Sequence, residues 1–471
     1  MKKIYIIGVL SMFTLMSCSD FLDLKPISQA SKVSFYKTEA DVVTGLNACY
    51  AKLQSTQQYA EYFITLMEVR SDNLEDQNPG GNAGRDYNID QFTAGSDNAA
   101  IRDSWASIYN LIYRCNDVLA NLDIVASQEN RNRYEGELRF LRALSYFNVV
   151  RLWGAAPLIL KPITTDDSKH CIRNSVDDIY KAIEEDLLFA SGENHLPKTY
   201  TMDSEKGRVT SGAALALLGK VYLTEKKYQR AVDVLRQFVD RDGSHAGVYN
   251  LVSKISQVFN VENELNIEMM FVVRFSKTIV GEGRNFPYYY KNAQLLDVNL
   301  KNSYNLIDER LPLMQSKNVD KDNAPFVKWS DTFDPITGKA GYDFPILRYS
   351  DVYLMLAEAA NEIAYNPDPR EYAFYYLNQV RSRAKASRYT STILSDQDSF
   401  RKAVLEERRL EFPLEMHRWF DLIRTNTAEE ALAKKGLTIT KNDYLFPIPK
   451  TEVDIVNDPI RFPQNPGYGS K

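Results

Sequence analysis

Apolar residues recur at steps of three and four along most of the first 250 positions, the spacing that gathers side chains on one face of an α-helix. Ala40, Val43, Leu46, Tyr50 and Leu53 form the first such stripe, and Thr38 with Asp41 ahead of it has the form of a capping box. The same period predicts helices over 58–69, 103–123 and 133–154, and another from a Ser175/Asp178 start to Ala190. Between 58–69 and 103–123, "RSDNLEDQNPGGNAGRDYN" is rich in Asn, Asp and Gly and reads as a loop.

The most informative stretch is Ala214 to Gly243. Leu215, Leu218, Gly219 and Tyr222, then Ala231 and Leu235, fall on the tetratricopeptide spacing, with small residues where two antiparallel helices must approach. A second copy has Tyr353, Leu356, Ala357 and Ala360, then Ala373 and Leu377, with four extra residues at "NPDP". Segments 139–150 and 176–190 form a candidate third pair parted by a loop. The predicted architecture is mainly α: a tetratricopeptide-like helical-repeat scaffold, with helical parts over 38–250 and 347–471. Between them, 251–346 loses the helical period and forms an irregular, aromatic-rich insertion with one predicted strand in "IEMMFVVRF". A helical block returns over 399–424, and the tail is punctuated by proline.

The first residues carry an address. Lys2 and Lys3, the apolar run Ile4 to Met16 and then Ser17 and Cys18 have a signal-peptide layout, and "LMSC" has the form of a bacterial lipobox. Residues 1–17 are thus expected to be removed, Cys18 lipidated, and 18–37 to form the tether. Removal takes two lysines and no acids, so the formal charge of -5 becomes -7. Lys and Arg are scattered among acids, which excludes the basic footprint of a nucleic-acid binder. No run reaches the ~18 apolar residues of a membrane-spanning helix. Attachment to the membrane therefore falls to the lipid.

With Cys18 committed, Cys49, Cys115 and Cys171 cannot pair completely; Cys49 and Cys115 sit on helical apolar patterns and read as small core residues. His170, His195, His245 and His417 are isolated, and no zinc, GxSxG or Walker A spacing occurs, so no catalytic or metal residue is assigned. Glu406, Glu407, Glu411 and Glu415 are the densest carboxylates. Two acids one helical turn apart would suit a glycosidase. Arg408, Arg409 and Arg418 alternate with them, however, and an ion-pair network is the better account.

Aromatic residues reach 12%, with 29 Tyr, more flat amphipathic surface than a core needs. Sugars present apolar C–H faces rimmed by hydroxyls, and a site for them wants rings beside Asn, Asp and Arg. Arg70, Asp72, Asn73, Arg85, Tyr87 and Phe92 supply the polar set with two rings, while Tyr288, Tyr289, Tyr290 and Trp329 supply stacking surface. The alternative for each is that it anchors a long loop to the helices. Trp105, Trp153 and Trp419 lie on helical patterns and read as packing.

Several separate motifs in order carry a family resemblance: "CSDFLDLKP", "ELRFLRALSYFNVVRLWGAAPLI", "VTSGAALALLGKVYL", "RYSDVYLMLAEAANE", "ERRLEFPLEMHRWFDLIR", "LFPIPKTEV" and "QNPGY". Over essentially its whole length the chain resembles the SusD/RagB family of outer-membrane nutrient-binding lipoproteins. The resemblance implies one compact unit and a noncatalytic lipoprotein on the cell exterior. It also implies capture of a glycan, or in some members a peptide, as the lid of a SusC-like TonB-dependent transporter. A surface glycoside hydrolase is the reading from another class. The motifs are scaffold motifs and carry no ligand residues; no cofactor is implied, and a role for Ca2+ is not legible.

Overall fold

The computed structural model describes residues 35–284, 294–314, 328 and 339–469. Helices dominate. α1 is Glu39–Leu53, α2 Ala99–Leu119, α3 Gln128–Trp153, α4 Val176–Ser191, α5 Ser211–Thr224 and α6 Tyr228–Leu235. Beyond the insertion come α7 Tyr349–Ile363, α8 Tyr372–Arg383, α9 Gln397–Glu411, α10 Arg418–Arg424, α11 Ala428–Lys434 and α12 Lys450–Val456. Local chemistry sets the starts: Thr38 and Asp41 form the predicted capping box of α1, and the Ser175 side chain accepts from Asp178 N at α4. α3 begins earlier than the period predicts, because Ser127 caps it, and it stops at Gly154, whose φ of 73° suits glycine.

The first eight helices pack on their neighbours in sequence: α1 on α2, α2 on α3, α3 on α4, α4 on α5, α5 on α6, α6 on α7 and α7 on α8, and α9 also packs on α7. The pairing of segments 139–150 and 176–190 inferred from sequence is the α3–α4 contact. Gly219 does what its position predicts, since a Cβ there would lie 2.5 Å from Leu235 Cδ2 on α6. α3 is buried almost all round over its second half, as a helix at the centre of a stack must be.

Two small antiparallel sheets fasten the insertion. β1 Leu74–Asp76 pairs with β3 Gln294–Leu296, and β2 Met269–Val273, the predicted strand, pairs with β4 Phe344–Arg348. One contiguous hydrophobic core runs from Val42 to Phe462 and takes in Leu300, Tyr304 and Met314 of the insertion. Trp105, Trp153 and Trp419 are buried in it, the first two edge to face at 5.2 Å. Cys49 and Cys115 are buried free thiols, and Cys171 is free and half-buried.

Candidate ligand-binding face

The loop singled out from the sequence rises from a short helix, Tyr62–Ile64, that widens into a π-turn over Thr65–Val69. Three of its residues are buried in the root of the loop. Arg70 is 1% exposed, its guanidinium caged by the rings of Phe92, Trp419 and Phe446 at 4.4, 5.2 and 4.1 Å. Asp72 is gripped by Arg418 through both oxygens at 2.7 and 2.9 Å and paired with Arg409. Burial would raise its pKa, and these two cations more than reverse that. Buried Asn73 donates to Glu68 Oε1 and accepts from Arg409. Asp72 and Asn73 thus spend their polar atoms on partners inside the fold.

The other three stay at the surface. Arg85 is half-buried, paired with Glu61 and Asp86 and lying over the Tyr62 ring. Phe92 rests on Arg70 and Trp419, and Tyr87 is half-buried. Above them the tip exposes Gln77, Asn78 and Asn82, and Asn82, Ala83 and Gly84 are successive left-handed residues with φ of 48°, 57° and 75°. Strain of this kind at a non-glycine residue collects at ligand-binding sites. The Asn-rich composition of the loop is the sequence signal for this exposed crown.

Tyr288, Tyr289, Tyr290 and Trp329 lie outside the described residues, as does Cys18. The described residues beside them are firmly held. Gln294 stands opposite Asp76 in the β1–β3 ladder, and Asp297 N donates to Asn73 O at 2.9 Å. Arg284 bridges to Ala340, and Lys328 donates to Pro413 O and Glu415 Oε1 at 2.6 and 2.7 Å. Lys435 secures the loop from the other side by bonding Leu74 O at 2.6 Å and pairing with Asp90.

The carboxylates around α9 do form an ion-pair network, but with partners other than the expected neighbours along the helix. Glu407 pairs with Arg310 and Arg381, Glu411 with Arg310, Arg348 and Arg383, and Glu415 with Arg348 and Lys328. Arg408 turns instead to Asp351 and Asp421, and Arg409 and Arg418 reach Asp72. The network is buried and tertiary, joining the insertion to the helices. Burial acts to raise the Glu411 pKa, and Arg383, Arg348 and Arg310 overcome it to hold the carboxyl at about 2. An acid so paired is no proton donor near neutral pH. Among the described residues no group of three or more His, Cys, Asp or Glu is placed to hold a metal.

Glu68 is a further residue with no sequence signal. Its carboxyl is wholly buried and accepts from the backbone N–H groups of Leu414 and Met416 at 2.7 and 2.9 Å, two residues with left-handed φ. It clamps the turn that carries Glu415. Burial pushes its pKa up to about 7 against those hydrogen bonds and the charge of Lys328.

A cavity of about 330 Å³ opens between α1 and the end of β2, with Tyr50, Gln54, Lys206, Arg208, Arg274 and Glu282 in its wall. Arg208 ion-pairs with buried Glu137 at 2.9 Å, and the Tyr50 hydroxyl donates to the same carboxylate at 2.6 Å. A second cavity, about 210 Å³, lies on the other side of Lys206–Arg208 and is lined by Tyr200, Tyr249 and Asn266 among others. The period had assigned Tyr50 to an apolar stripe, which hid its polar tip.

Comparison with known proteins places this geometry. A family profile described as the SusD family matches residues 273–438, and another, described as starch-binding associating with outer membrane, matches residues 20–223. SusD-like protein P2 of Formosa agariphila is 26% identical, the alignment covering 99% of this chain and 100% of that one. A solved laminarin binding SusD-like protein superposes with a TM-score of 0.76 at 25% identity, covering 92% of this chain and 100% of its own. Surface glycan-binding protein A from Bacteroides fluxus has the same fold, with a TM-score of 0.78 at 20% identity over 92% of this chain and 100% of its own.

Proposed function

The chain belongs to the SusD/RagB family, and from that premise we propose that it is a noncatalytic lipoprotein, anchored through Cys18 in the outer membrane and facing the exterior. It binds oligosaccharides or polysaccharide fragments and hands them to a SusC-like TonB-dependent transporter. Relatives described as binding laminarin or surface glycans support the ligand class, and among the described residues no helix is long and apolar enough to cross a membrane.

One observation supports this location for the site. The tyrosine-bearing stretch is flanked by Glu282 in the wall of the 330 Å³ cavity and by Gln294 opposite Asp76 in the Asn-rich loop. Its two flanks are thus the cavity wall and the loop, which between them offer amides, guanidinium groups and rings. Sugar recognition uses that combination: a ring stacks on the C–H face while amides take the hydroxyls.

The test is calorimetry and glycan-array screening of the chain from Ser19, with a pull-down of the native lipoprotein from solubilised outer membrane. One glycan class bound, with a large TonB-dependent barrel recovered, supports the proposal; recovery of the barrel with peptides and no glycan overturns the ligand class. Tyr289→Ala or Trp329→Ala should weaken the glycan about tenfold, a ring platform contributing on the order of 1–2 kcal/mol. Unchanged calorimetric affinity removes those residues from the site.

A further inference from the structure

The end of α3, the middle of α5, β4 and the turn before α10 line a partly open cavity of about 40 Å³, whose walls include Tyr59, Asn148, Arg151, Lys220, Glu415 and His417. That is room for one or a few water-sized occupants. The polar groups around it are arranged in an unusual way: nearly all are donors.

The hydrogen bonds around it run in one direction. Arg151 donates through Nε to Phe147 O at 2.9 Å and through Nη2 to Asn148 Oδ1 at 2.7 Å, and Asn148 Nδ2 donates to the Tyr59 hydroxyl oxygen at 3.0 Å. Tyr59, 3% exposed, thus accepts from Asn148, and its own proton has no acceptor among the described residues. Lys220 Nζ donates to Asp351 Oδ2 at 2.9 Å and meets His417 Nδ1 at 3.0 Å. An ammonium only donates, so Nδ1 accepts and the ring proton sits on Nε2, which also lacks an acceptor among the described residues. Burial, with Lys220 beside it, keeps His417 neutral at neutral pH.

The charges point the same way. Glu415, the acidic residue of the lining, already holds Lys328 and Arg348, and Asp351 is shared by Lys220 and Arg408. Arg151 has no carboxylate within ion-pair distance among the described residues. Its guanidinium is instead stacked on Phe147 and Phe420, each at 3.7 Å, and a ring face attracts a cation without supplying a negative charge.

We propose that this cavity binds a monatomic anion, chloride under ordinary conditions, held by the Tyr59 hydroxyl, the Arg151 guanidinium, the free Lys220 hydrogen and His417 Nε2–H. An anion accepts from all four donors, whereas a water must itself donate twice where acceptors are scarce. It also balances Arg151. The bound ion ties α3 to the turn that Glu68 clamps.

The test uses the full chain in detergent. Crystals soaked in sodium bromide and measured at the bromine edge should show an anomalous peak within hydrogen-bond reach of Tyr59 and Arg151. In solution, the unfolding temperature in sodium chloride or bromide should exceed that in sodium gluconate of equal ionic strength by about 1–2 °C once the halide is about tenfold above its Kd. Tyr59→Phe should reduce that halide-specific increment. Water without bromide signal in the cavity overturns the proposal, and so does an unfolding temperature that follows ionic strength whatever the anion.

Discussion

Replacing Glu411 by Gln tests the buried network at its centre. The carboxylate faces Arg348 and Arg383 through Oε1 and Arg310 through Oε2, all buried. Two routes give the magnitude. Leaving buried charges without their partner costs about 3–5 kcal/mol. A carboxyl moved from its ordinary 4.5 to about 2 contributes roughly 3 kcal/mol by linkage. The sign follows from the depressed pKa: the contribution is complete above pH 4.5 and is lost as pH falls through the interval down to about 2. Glu411→Gln should therefore unfold about 3 °C lower than the parent at pH 7, with the gap closing as pH drops from 4.5 toward 2. Differential scanning calorimetry at pH 7, 4 and 3 reads both quantities. A variant as stable as its parent at pH 7, or a gap that ignores pH, would refute the reasoning, because the carboxylate would then be doing no more than filling space.

Glu68 should behave in the opposite sense. Its pKa of about 7 lies above the unfolded 4.5, so folding takes up a proton in that window and the stability it lends is lost as pH rises. The advantage of the parent over Glu68→Gln should thus shrink by on the order of 3 kcal/mol between pH 4.5 and 8 in urea titrations, and a pH-independent difference would remove Glu68 as the titrating group. At the α5–α6 contact, Gly219→Ala forces a Cβ against Leu235 and should cost about 1–3 kcal/mol. In a Leu235→Ala background the same change should instead gain up to about 1 kcal/mol from helix propensity; equal effects in both backgrounds would show the contact to be unimportant. Native thiol labelling followed by peptide mapping should modify Cys171 slowly, burial having raised its pKa, and leave Cys49 and Cys115 for the denatured chain. Rapid labelling of either buried thiol would contradict the packing of α1 on α2.

The helical body was legible because its information is local. Thr38, Ser175, Gly219 and the apolar stripes each act within a turn or two, and the structure uses them as predicted. β4 was not, since Pro345 argues against a strand and both neighbouring faces are buried. The candidate site was half legible. Residue chemistry picked out this loop but could not separate its buried root from its exposed crown, because Asp72 and Arg418 are 346 positions apart. The interleaved charges of α9 misled in the same way: helical spacing offered Arg408 as a partner for its neighbours, while burial gave them Arg310, Arg348 and Arg383 from elsewhere in the chain. Glu68 shows the limit most clearly, since nothing around it in sequence announces a carboxylate that bonds two amides of a distant turn.

The placement of Arg310, Lys328 and Arg348 has a consequence for how such a chain can change. These three cations plug into Glu407, Glu411 and Glu415 like the pins of a socket. The chain between them can then be rewritten or lengthened while both ends stay seated. Doubling a loop whose ends are fixed costs only about 0.6 kcal/mol, little beside the anchorage. Residues 315–327 and 329–338, which lie between those pins, can therefore be exchanged between relatives without redesigning the helices.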